Sequence, residues 1–117
     1  MRVSSLARTL CIGTVVTGLL VACKTTEERV AQEKSIWSRP GSTPEEFQAD
    51  RTACVNAIQR EFDHNTWPKP VGRMSMAQRS MEARWWAERE FPNCMQGKGW
   101  VSAPGERVRA PAGLRYP

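Results

Sequence analysis

The chain has one histidine, one tyrosine and no run of twenty apolar residues among its 117. A single histidine is too few for an ordinary zinc site, which draws three or four ligands from His, Cys and carboxylates at recurring spacings. Asp63 lies beside His64, but no metal-ligand motif accompanies them, and neither a metal nor another cofactor is expected. Nothing resembles a nucleophile elbow either. The one Ser, His and acid set that can be assembled, Ser75, His64 and Asp63, places its histidine in a predicted loop. Glu45 and Glu46 are a possible carboxylate pair for sugar hydrolysis, yet a helix amino terminus already accounts for them. The 17 Lys and Arg form no concentrated stripe and fit no nucleic-acid motif; the net charge of +5 includes Arg2 and Arg8 of the amino-terminal segment, the mild excess left without them supports solubility and weak attraction to acidic surfaces, and nucleic acid is not an expected partner. An enzyme is not expected.

What is present begins at the amino end. Met1 to Arg8 holds two arginines and no acid, and an apolar stretch follows from Leu10 to Ala22, interrupted by Gly13, Thr14, Thr17 and Gly18. This is the zoning of a secretion signal. The stretch is about 13 residues, against roughly 20 for a helix that spans a bilayer. Leu20-Val21-Ala22-Cys23 resembles the lipobox of bacterial lipoproteins. That resemblance implies a signal peptide over 1–22, cleavage before Cys23, a thioether-linked diacylglycerol on its sulfur and an amide-linked fatty acid such as palmitate on its amine. Two or three acyl chains give stable attachment, at about 0.8 kcal/mol per buried methylene. Lys24 stands where enteric-type lipoproteins retained at the inner membrane carry Asp. The resemblance therefore directs the protein to the periplasmic face of the outer membrane. An ordinary cleaved signal with a chance cysteine, or an uncleaved anchor, is the competing reading.

Once Arg2 and Arg8 leave with the leader, 15 Lys and Arg face 12 Asp and Glu. Of the four cysteines, Cys11 leaves as well and Cys23 is lipidated, so Cys54 and Cys94 remain as an even pair in an oxidising compartment. Their disulfide closes a loop of about 40 residues, worth roughly 4 kcal/mol in the chain-entropy model. For a body this small, such a staple can decide whether it folds.

The fold class expected is all-α: a two-helix, disulfide-linked hairpin, with a signal helix that is cleaved and a disordered tail. Residues 23–35 read as a lipidated polar tether, since Val30 is its one apolar residue besides alanine after Cys23. A small helical domain occupies 36–101, opening on Trp37 and a Pro40-Gly41 turn. Thr43-Pro44-Glu45-Glu46 starts a helix that runs to about Phe62, with Phe47, Cys54, Ile58 and Phe62 on its inner face and Val55 at the edge. Arg51 falls within that stripe and is expected to lay its stem on the core and lift its head to water, while Asp50 supports the helix amino terminus. After a loop over 63–73, a second helix starts near Ser75, with Gln78 completing a capping box and Met74, Ala77, Met81 and Trp85 as its inner stripe. In that phase Cys94 points about 140° away from Met81, so a break or kink at Pro92 is expected. Gly97 and Gly99 end the helix and Trp100 packs back. Residues 102–117, with three prolines and Arg107, Arg109 and Arg115 against Glu106, read as a disordered basic tail.

Trp37-x-x-Pro40-Gly41, Glu46-Phe47, Asp50, Cys54, then Cys94-Met95 and Gly99-Trp100 together resemble a set of small proteobacterial lipoproteins over about residues 36 to 100. The resemblance implies the disulfide and brings no activity; Pro92 departs from the helix expected into Cys94. The function expected is that of a noncatalytic interaction or structural module of the cell envelope, attached to the membrane through its lipid and facing another envelope protein. The alternative is a peptidoglycan or carbohydrate binder that stacks exposed indoles on sugar faces, with Trp67 and Trp86 of the five tryptophans as the candidates.

Overall fold

The computed structural model describes residues 25–117, so the leader, Cys11, Cys23 and Lys24 lie outside the described residues. The described chain is mostly helical: α1 (Thr26–Ile36), β1 (Trp37–Ser38), α2 (Pro44–Asp63), α3 (Met76–Gly97) and β2 (Val101–Ser102). Among the described residues no helix is long and apolar enough to cross a membrane.

α2 starts as its sequence dictates. Thr43 accepts from the Glu46 amide at 3.2 Å and Pro44 occupies the first turn. The helix ends on a left-handed residue, Asn65 (φ 55), whose amide reaches the Phe62 carbonyl at 3.1 Å while the Thr66 amide reaches Glu61 at 2.9 Å. This is a Schellman closure with Asn in the place usually taken by Gly. The sole histidine, His64, is the exposed C-cap of this turn.

α3 starts at Ser75 with both bonds of the capping box to Gln78. Its inner face corrects the sequence reading. The buried residues are Ala83, Ala87, Phe91 and Met95, whereas Met81 is 46% exposed and Trp85 45%. Cys94 lies seven residues after Ala87, about 20° short of two full turns, so it already faces α2 and needs no break at Pro92. The helix runs through that proline to Gly97. Bulk misdirected the phase: Met and Trp look more core-like than Ala, but fully buried alanines let two helices approach closely enough for a disulfide with a Cα–Cα distance of 5.8 Å.

The helices run antiparallel, since Phe47 meets Trp100, Cys54 is bonded to Cys94, and Phe62 meets Trp86. α3 closes on its own Schellman motif. Gly99 (φ 90) donates to Gln96 at 3.0 Å and Trp100 donates to Met95 at 3.1 Å. A Cβ on Gly99 would also stand 3.3 Å from the Arg39 side chain. The reversal turns Trp100 onto Phe47 and sends Val101–Ser102 antiparallel to Trp37–Ser38.

The flanking segments depart most from expectation. The polar stretch before residue 36 is helical, capped by a reciprocal Thr25–Glu28 box. Residues 103–117 are not a disordered tail. They lie across the hairpin, with Pro111 buried and Val108, Ala110, Leu114 and Tyr116 packed against the core. One antiparallel helix pair cannot cover itself, and residues 103–117 complete the layer, whereas α1 buries none of its residues.

Candidate functional site

Two clusters of polar side chains lie on opposite sides of α2. The first forms where the Pro40-Gly41 turn meets the end of α3. Ser42 closes the turn on the Arg39 carbonyl at 3.2 Å, and Gly41 supplies the positive φ (74°) that a type II turn requires at its third residue, after Pro40. Arg39 is thereby aimed along α2. Its guanidinium donates to Glu46 at 2.8 Å, to Asp50 at 3.0 Å and to the Lys98 carbonyl at 2.9 Å, and it lies 4.5 Å from the centre of the Trp100 ring. The Trp100 indole N–H donates to the same Asp50 oxygen at 2.9 Å. That bond holds the Asp50 carboxyl below the usual carboxylate range, assisted by Arg39 and Lys98 and opposed by partial burial. Asp50 is therefore an anion fixed by two donors. This corrects the reading that it serves the helix amino terminus. An open cavity of about 280 Å³ adjoins the knot, walled by Trp37, Phe47, Trp100 and Arg39.

The second cluster holds residues 111–117 in place. Arg51 is 6% exposed; it donates to Glu33 of α1 and to the Ala112 carbonyl at 2.7 Å. Glu33 also accepts from the Ala112 amide at 2.8 Å. The Arg51 head thus does not lift to water. It is paired and hydrogen-bonded inside, as a buried charge must be. Two turns along α2, Gln59 does the same for Arg115: its carbonyl accepts from the Arg115 amide at 2.9 Å and its amide donates to the Arg115 carbonyl at 3.2 Å. Tyr116 lies 5.7 Å from Phe62, with Arg84 over its ring at 5.3 Å, and Ser80 donates to the Pro117 carbonyl at 2.7 Å. Burial raises the Tyr116 hydroxyl above the ordinary phenol value, opposed by Arg84.

The sequence candidates fall as follows. Cys54 and Cys94 are joined; Cys23 lies outside the described residues. Trp67 is 1% exposed and packs edge-on against Phe62, so it offers no face to a sugar. Trp86 is half-buried against Phe62 and Trp67. Its neighbour Trp85, placed on the inner stripe by the sequence reading, is the indole that faces out. Ser75, His64 and Asp63 are not brought together by hydrogen bonds: Ser75 caps α3, His64 caps α2, and Asp63 accepts from Gln59 at 2.9 Å. Among the described residues no group of three or more His, Cys, Asp or Glu could hold a metal ion.

Glu33, Arg39, Gln59, Ser80 and Tyr116 were not singled out from the sequence. Arg51 carried the one legible signal, a charge in the middle of an apolar stripe, which asks for a buried partner. No family model, curated protein or solved structure matches the chain.

Proposed function

We propose that the protein is a noncatalytic interaction module of the cell envelope, tethered through lipid on Cys23 at the periplasmic face of the outer membrane, whose partner is another envelope protein. The observation that supports this reading is the Cys54–Cys94 disulfide. A structural disulfide in so small a body belongs to an oxidising compartment, the destination of a chain with a Leu-Val-Ala-Cys signal end. The acids in the first two turns of α2 agree with it. Glu46 and Asp50 are both taken up by Arg39, an arrangement that shapes a surface and leaves neither carboxylate poised as a base.

Intact mass of the membrane-extracted protein tests the reading. Wild type should begin at Cys23 with added acyl mass, lost in Cys23→Ala, and two thiols should alkylate only after reduction. An unlipidated precursor or thiols that react before reduction would overturn the address. Crosslinked envelopes should return a protein partner. Sedimentation with purified peptidoglycan and no captured protein would replace it with a wall-binding role, for which Trp85 is the exposed indole.

A further inference from the structure

Residues 111–117 are held by paired side-chain grips on their main chain. Arg51 with Glu33 grips both the N–H and the C=O of Ala112, and Gln59 grips both the N–H and the C=O of Arg115. Ser80 takes a third carbonyl, at Pro117. These bonds end on main chain and would form with many sequences, in the manner of strand-type peptide recognition. Side-chain selectivity enters elsewhere. Gly113 (φ 97) makes the bend between the two grips, Leu114 packs on the core, and Tyr116 rests against Phe62 beneath Arg84.

A face meant to stay covered is best built from apolar side chains, because buried Arg, Glu and Gln cost stability unless each is fully bonded. α2 instead presents Arg51 and Gln59 to this segment, groups that water can satisfy if the segment leaves. Behind Phe62, the ring on which Tyr116 rests, the buried Trp67 and the half-buried Trp86 continue the aromatic floor.

We propose that this groove along α2 and α3 is a peptide-docking site whose resting occupant is the chain's own 111–117 segment, and that a partner protein displaces it with a segment of the same chemistry, glycine followed by an aliphatic residue and, three after the glycine, an aromatic one. The proposal rests on the interaction-module reading and names the class of partner. Displacement is thermodynamically an exchange of like contacts. The partner gains affinity to the extent that the covering segment is free part of the time.

The test uses the full-length chain with its disulfide intact and a fluorescein-labelled peptide Pro-Ala-Gly-Leu-Arg-Tyr-Pro. Tyr116→Ala loosens the resting occupant, so the peptide should bind this variant about ten-fold or more tighter than wild type. Adding Gln59→Ala, or replacing the peptide's glycine with valine, should weaken binding again by a similar factor. Equal binding to wild type and Tyr116→Ala, or none to either at millimolar peptide, overturns the proposal. Hydrogen exchange on wild type guards against a variant that fails to fold. The Ala112 and Arg115 amides should exchange about 100-fold faster than that of Phe91, through local opening. Exchange of all three at one rate would mean the segment opens only with the whole fold, and would also overturn it. Neither failure touches the mass test of lipidation, and loss of lipidation would leave peptide binding in place.

Discussion

The two ends of the α2–α3 hairpin are closed by different means. At the end formed by the start of α2 and the finish of α3, the two-residue strand pair and the Arg39 knot fix Trp37, Phe47 and Trp100 over the core, with the disulfide next along the hairpin, from the middle of α2. At the other end, Phe62 packs with Trp67 and Trp86 and is met by Tyr116 of a segment without regular structure, held by buried side chains bonded to its backbone. A small body can cover an apolar layer with covalent and ionic closure or with reversible polar clamps. The first end is suited to permanence and the second to exchange.

The largest break in that contrast is at the staple. Cys54→Ala with Cys94→Ala should cost about 4 kcal/mol in the chain-entropy model, read as a loss of thermal midpoint, and little or no loss would mean that packing alone closes the first end. Trp67→Ala should cost a comparable 3–5 kcal/mol or so as a large buried aromatic lost from the second end, whereas Trp85→Ala should stay within about 0.5 kcal/mol. A loss of several kcal/mol at Trp85→Ala would mean that α3 buries the other face.

Arg51→Ala should follow, at about 3 kcal/mol, because it leaves Glu33 unpaired and frees the Ala112 carbonyl. The same change should speed amide exchange across 111–117 more than across Val101–Ser102. Uniform acceleration would erase the distinction between the clamped segment and the strand pair.

The smallest effects are titrations, and they run in opposite directions. Asp50 binds fewer protons folded than unfolded at acid pH, so its contribution is complete above the ordinary carboxylate range and is lost as pH falls through its lowered value. Asp50→Asn should flatten that part of the acid limb and leave the alkaline limb unchanged. Tyr116 is raised, so its contribution is complete below the ordinary phenol value and is lost as pH rises through the higher one. As the only tyrosine, it gives a clean tyrosinate absorbance titration, with a midpoint above that of free tyrosine.

Several of these features were legible before any fold was known. Thr43-Pro44-Glu45-Glu46 and Ser75 with Gln78 mark helix starts because capping is local chemistry, and Pro40-Gly41 marks a turn for the same reason. The phase of α3 was not legible, since Met81 and Trp85 offer a second apolar stripe and only the position of α2 chooses between them. The 103–117 segment was misread because its composition is that of a solvated chain. Its order comes from Glu33, Arg51 and Gln59, 56 to 79 residues away in sequence.

Short-range stereochemistry and counting therefore set where α2 and α3 begin and end, a mostly helical body, and a cysteine pair available to close it, whereas the helix over Thr26–Ile36 was passed over as a polar tether. Which face of α3 is inside, whether Arg51 keeps its head in water, which tryptophan is exposed, and that the last described residues cover the hairpin were decided only in the tertiary structure. Those outcomes depend on which surfaces meet, and a buried charge or amide declares its partner only when the distant backbone that satisfies it has arrived.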